Sequence, residues 1–232
     1  MITLRRSDER GRAEHGWLHS RFSFSFAEYF DPRHMGWRSL RVINDDKVAA
    51  GAGFPMHGHR DMEIVTWMLA GRLEHRDSMG NGSTIGPGEL QYMSAGKGVM
   101  HSEFNPSRTE EAHLLQIWVL PRARGLEPRY GQADCSKALE TGDPVLVASP
   151  DGERGSIAIA ADARIFVARA NEARSWVLPL ATGRGAWVHV AKGEAEVGGH
   201  QLVAGDAAAI EDAPRVEIAA RPGCEVLVFD LA

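Results

Sequence analysis

The chain has 232 residues, of which 44% are hydrophobic and 25% charged, with a formal net charge of −5 and a pI near 6.1. This composition belongs to a folded globular protein and excludes wholesale disorder, and its length can bury one large core or two smaller ones. The acidic balance removes the broad attraction to phosphate or anionic lipid on which general nucleic-acid or membrane-surface binding depends.

At the N-terminus, the charges of Arg5 and Arg6 are not followed by the apolar stretch of a secretory signal. No apolar run is long enough to cross a bilayer. Cys135 and Cys224 lie far apart, outside any CxxC arrangement, and read as reduced thiols. A cytosolic protein is the expectation. Short apolar runs follow at 40–43, 63–69, 114–120, 187–190 and 225–229, rich in β-branched and aromatic residues and separated by Gly, Pro, Asn and Asp. That spacing predicts an all-β sandwich or barrel rather than a helical or βαβ fold. Turns are explicit at 77–82 and 86–88, where glycine supplies positive φ angles.

The two halves repeat weakly. The stretch 67–75 around Gly71 resembles 188–197 around Gly193, and 85–93 around Gly88 resembles 202–210 around Gly205. Two copies of one β-barrel module follow, expected at 1–130 and 131–232, with a linker from Pro121 to about Pro144.

Two short pairs carry the chemistry: His57-Gly58-His59 and His101-Ser102-Glu103. In a strand, residues two apart share a face, so each pair aims two coordinating groups one way. If the two strands face each other, three imidazoles and one carboxylate converge on a point and leave open positions on a first-row metal. Oxygen-activating and Lewis-acid chemistry both need such openings. With no cysteine near either pair, a structural zinc site is not indicated. Counting from the reference glycines, the places of His57, His59, His101 and Glu103 fall in the second module on Pro179, Ala181, Ile218 and Ala220. That module is expected to hold no metal. His75 and His113 read as structural, and His189 and His200 belong to the ligand-free module. Phe22, Phe24 and Phe26 alternate as core packing, although a ring from this stretch could line a pocket mouth.

The spacing of Gly51, His57, His59 and Glu63 resembles the first cupin motif, and that of His101 and Asn105 the end of the second. More specifically, residues 15–121 resemble the pirin family, especially bacterial pirin-like quercetin 2,3-dioxygenases. The matching stretches include His15-Gly-Trp-Leu18, Leu40-Arg-Val-Ile-Asn-Asp-Asp46, His57-Gly-His-Arg-Asp-Met-Glu-Ile64, His75-Arg-Asp-Ser-Met-Gly80 and 93–103. The resemblance implies two cupin barrels of the double-stranded β-helix, jelly-roll-like kind, with metal in the first only. It also implies His57, His59, His101 and Glu103 as ligands. Glu63, often the carboxylate ligand in other cupins, has suitable parity too. It is expected instead to hydrogen-bond a ligand histidine or an arginine.

The activity implied is opening of a flavonol ring by O2 with release of carbon monoxide, Glu103 acting as base toward the 3-hydroxyl. Fe(II) is the metal the resemblance favours, while Mn, Ni, Co, Cu and Zn suit the same donors. An alternative is a metal-binding regulatory or redox-sensing protein that works through a protein partner. A cupin isomerase or hydrolase is a third class, which no residue selects. A monomer is expected.

Overall fold

The computed structural model describes residues 1–232, which fold almost entirely as β-strands into two compact units. One comprises Gly11–Asp134 with Ile159–Ala161, and the other Met1–Arg10, Cys135–Ala158 and Asp162–Ala232. The chain thus does not divide at one cut near residue 130. Residues 2–5 pair antiparallel with 207–210 and so join the unit built from the C-terminal half. Part of the expected linker is also a strand, since Arg129–Asp134 pairs with Glu89–Ser94 at a sheet edge.

Each unit has a seven-stranded and a four-stranded sheet, antiparallel except where 157–158 pairs parallel with 145–149, the jelly-roll-like cupin arrangement. In the first, the large sheet runs Arg129–Asp134, Glu89–Ser94, Glu63–Ala70, Ala112–Val119, Leu40–Val48, Leu18–Phe22, Gly11–Glu14. Its small sheet runs Gly53–His59, Val99–Phe104, Leu73–Asp77, Gly82–Ile85. The second unit's small sheet repeats that order with Arg174–Pro179, Arg215–Ala220, Glu194–Val197 and His200–Val203.

The reference glycines of the repeat adopt matching backbones: φ is +69° at both Gly71 and Gly193, +86° at Gly88 and +88° at Gly205. A Cβ at Gly71 would lie 2.5 Å from the Glu111 carbonyl oxygen, and one at Gly193 2.9 Å from Cys224 Cα. Both conformation and close approach therefore demand glycine.

The second unit encloses one apolar core, with Trp176, Leu178, Leu180, Val197, Val216, Ile218 and Ala220 among its members. In the first, the apolar residues form separate clusters, one around Met68, Leu73 and Leu114, another around Ile64, Met93 and Val99. Buried polar residues occupy the same barrel: Thr66, His75, Gln91, His101, Glu103 and Gln116.

Candidate metal centre

Antiparallel pairing sets His101 directly opposite His57, and His59 opposite Val99. Cross-strand partners bring their Cβ atoms to about 4.5–5.5 Å, so His57, His59 and His101 share one face and one neighbourhood. Between the pairs His101–His57 and Glu103–Phe54, the strand Gly53–His59 carries an extra residue, a β-bulge at 55–56. Pro55 tolerates that position because it has no N–H to give to the ladder. Its carbonyl accepts a hydrogen bond from His57 Nδ1 at 2.7 Å. A carbonyl only accepts, so Nδ1 holds a proton, and in the neutral ring His57 Nε2 presents a lone pair. Near the strand's start, a Cβ on Gly53 would fall 2.2 Å from the Glu103 carbonyl oxygen; only glycine lets the two strands approach this closely beside Glu103.

The ring nitrogens of His57, His59 and His101 offer ligand atoms all within 4.8 Å of one another. His57 Nε2 and His101 Nε2 lie 3.1 Å apart. The tautomer of His101 follows from its far side. Asp77 Oδ2 lies 3.1 Å from His75 Nε2, fixing the proton there, and Gln91 Nε2 donates to His75 Nδ1 at 3.2 Å. His101 Nδ1 faces that same His75 Nδ1 at 3.5 Å, which favours the proton on His101 Nδ1 and the lone pair on Nε2. Two lone pairs directed at each other repel unless a cation lies between them, and such a pair fits a metal's demand for neutral imidazole.

Electrostatics point the same way. Burial, reinforced by His57, His59 and His75, depresses His101 to about 2. Burial and the neighbouring His57 depress His59 to about 4. Both rings therefore stay neutral at ordinary pH, with donor atoms free of competing protons. Glu103 is 3% exposed and pushed up to about 7 by burial, against the lowering effect of Gln116, Thr66 and Gln91. Gln116 Nε2 donates to Glu103 Oε2 at 3.0 Å and Thr66 Oγ1 lies 3.4 Å from Oε1. No cation of the protein faces this carboxyl. Its ligand atom groups most closely with those of His75 and His101, while Glu103 also lines one cavity with His57 and His59. The four residues singled out in the sequence therefore meet in one barrel.

Glu63 does not join them. It accepts hydrogen bonds from the Tyr92 hydroxyl, from Ser94 Oγ at 2.6 Å and from the Ala160 backbone N–H at 2.8 Å. Strand alternation sends Thr66 toward Glu103 and Glu63 to the opposite face of the sheet. The expected partner, a ligand histidine or an arginine, is replaced by two hydroxyls and an amide. His113 is held by Asp45 at 2.7 Å, as a structural histidine would be. His75, also read as structural, stands against His101 instead. The sequence offered no sign of this, because strand order within the sheet decides it.

The cavity measures about 450 Å³ and is walled by Trp17, Phe22, Phe26, Phe54 and Trp118, with His57, His59 and Glu103 on its polar side. Phe26 meets Trp118 edge-on at 5.3 Å, and Trp118 meets His59 at 4.9 Å. Phe24 is buried and does not line the cavity. In the second barrel the corresponding inward residues build one apolar core. Glycine counting there is wrong for the first strand, where Trp176, Leu178 and Leu180 enter the core while Pro179 and Ala181 are exposed. Trp176 pairs with Ile218 as His57 pairs with His101, and the next strand starts nine residues on at Gly185 rather than six on at Glu63; that odd difference of three reverses the face.

Comparison with known proteins agrees with this layout. The family model Pirin matches residues 3–119, and one described as the quercetinase C-terminal cupin domain matches 146–231. This chain belongs to the pirin family. It is 45% identical to a quercetin 2,3-dioxygenase of Escherichia coli K12, the alignment covering 100% of this chain and 99% of the relative. A pirin-like protein of Caulobacter vibrioides is 37% identical, with full coverage of both chains. Among solved structures, the E. coli bacterial pirin YhhW in complex with nickel(II) superposes with a TM-score of 0.94 at 44% identity, covering 100% of this pirin and 99% of that chain. The first cupin unit of the present pirin thus carries a His/Glu cluster fit for a metal, and a relative of the same fold binds one. No helix is long and apolar enough to cross a membrane.

Proposed function

We propose that this pirin is a metal-dependent dioxygenase of the quercetin 2,3-dioxygenase type, with His57, His59, His101 and Glu103 as metal ligands and Fe(II) as the resident metal. The observation that carries the reading is the junction of the histidine cluster with an aromatic-walled cavity of about 450 Å³. Small-molecule sites commonly occupy about 300–1,000 Å³ and pair apolar walls with a few convergent polar groups. A flat flavonol matches such walls, and its 3-hydroxyl and 4-keto oxygens form a chelating pair. The name of the E. coli relative, quercetin 2,3-dioxygenase, favours the same chemistry.

A bound divalent metal supplies Lewis acidity, lowering the pKa of a chelating hydroxyl and offering open positions for substrate oxygen. The remaining work falls to side chains. His57 is oriented by Pro55, and His101 by His75 and Asp77 behind it. Glu103, held by Gln116 and Thr66, accepts the 3-hydroxyl proton. Trp17, Phe54 and Trp118 hold the rings and exclude water from the reacting carbon atoms. The overall reaction consumes one O2 and one flavonol and yields a depside and carbon monoxide.

The test is aerobic incubation of quercetin with protein loaded separately with iron, manganese, nickel, cobalt or copper. Loss of the flavonol absorbance with matching carbon monoxide release is expected for at least one metal. An inert protein in every metal form removes the proposal.

A further inference from the structure

The cavity has a second polar region that ring opening does not use. Strand register places Gln91, Thr66, Gln116 and Asn44 in one row across four strands. Three of them have partners: Gln91 bonds His75, and Thr66 and Gln116 bond Glu103. Asn44 ends the row, lines the cavity, is 3% exposed, and leaves Oδ1 buried with no hydrogen-bond partner. In the adjacent row Ser20 stands opposite Asp46 and donates to its Oδ1 at 2.6 Å. Asp46 is 4% exposed and also lines the cavity; its other oxygen accepts from no group of the protein, and no arginine or lysine pairs with it. Burial, with Asp45 and Glu103 nearby, raises this carboxyl to about 7.

Buried polar groups are nearly always hydrogen-bonded, so an amide oxygen with no protein partner, beside a carboxyl bonded only by Ser20, implies a partner from outside in this aromatic-walled cavity. Asn44 offers both donor and acceptor, and Asp46 an oxygen held in place by Ser20. Together they complement a phenolic hydroxyl, which donates and accepts at once. We propose that Asn44 and Asp46, positioned by Ser20, form a hydroxyl-recognition subsite that selects flat aromatic ligands bearing phenolic hydroxyls beyond the metal-chelating pair. This rests on the flavonol reading and adds to it a reason for preferring polyhydroxylated members. A ligand lacking those hydroxyls leaves the same groups unpaired, and such sites discriminate strongly.

The experiment measures binding without turnover. Nickel-loaded protein is titrated anaerobically with quercetin and with 3-hydroxyflavone, which keeps the chelating pair and lacks the other hydroxyls. Wild type should bind quercetin at least about tenfold tighter, the value of roughly one hydrogen bond. In Asn44→Leu and in Asp46→Leu, which remove the hydrogen-bonding groups, that preference should shrink to about twofold, with nickel content unchanged. Asp46→Leu keeps roughly the size of the side chain and carries the test if Asn44→Leu does not fold. Equal affinities in wild type, or a preference that survives the substitutions, overturns the subsite while leaving the flavonol reading standing. Failure of wild-type nickel protein to bind either compound overturns both.

Discussion

The two barrels of this pirin share strand order and glycine backbones, and differ in how they treat buried polar groups. In the second unit, buried carboxylates meet arginines: Asp206 bonds Arg6 at 2.8 Å, Glu225 bonds Arg169 at 2.7 Å, and Asp230 bonds Arg184 at 2.5 Å. For Asp206, burial alone would raise the carboxyl, but the Ser7 amide and Arg6 outweigh it and hold it below its usual range. In the first unit, Glu103 and Asp46 are buried among neutral donors only, and both are raised to about 7. A buried carboxyl with a cation beside it is structurally complete. One without, unless hydrogen bonds complete it as they do Glu63, is disposed to receive a cation or a hydrogen-bonding ligand. The lesson is that a duplicated scaffold changes the character of its barrels chiefly through the inward side chains, on a strand order that both share.

That contrast can be broken most sharply at His101. Its replacement by Ala should lower metal affinity by more than the ~10–100-fold that loss of an outer hydrogen-bond partner costs, and abolish quercetin turnover. Metal content after dialysis and carbon monoxide release read both. Next is His75, which orients His101 without belonging to the proposed ligand set. His75→Ala should cost about 10–100-fold in metal affinity, measured by competition with a chelator of known strength.

The second barrel should respond in the opposite currency. Ile218→Ala opens a cavity in its apolar core and should cost about 2–5 kcal/mol in urea unfolding, with metal content at the wild-type level. If Ile218→Ala instead lowered bound metal while stability held, the division of labour would be wrong.

The smallest effect is a pH dependence at Asp46. Its folded-state value of about 7 stands above the ordinary 3.8, so the folded protein retains a proton that the unfolded chain releases. The associated stability is present below pH ~3.8 and lost as pH rises through about 7. Asp46→Asn should therefore raise the melting temperature of the metal-free protein more at pH 8 than at pH 5; an equal shift at both would contradict the raised carboxyl.

The sequence made parts of this site legible for a simple reason. Strand residues two apart share a face, so His57 with His59, and His101 with Glu103, could be paired without coordinates. Family resemblance supplied the rest of the fold. What stayed hidden depends on which strands become neighbours: His75 behind His101, Gln116 on Glu103, Asn44 at the end of a four-strand row. One signal was visible in Leu40–Val48, where Asn44 and Asp46 share the buried face of Val42 and Val48. Counting from Gly193 failed for Pro179 because a loop of different length intervened, and Glu63 was misjudged because its partners, Tyr92, Ser94 and Ala160, come from separate segments.

Anomalous diffraction from crystals of the nickel-loaded protein tests the central claim most directly. The account predicts a single peak per chain bounded by His57, His59, His101 and Glu103, with Glu63 remote from it. A peak in the second barrel, or a carboxylate contact from Glu63 in place of Glu103, would contradict it.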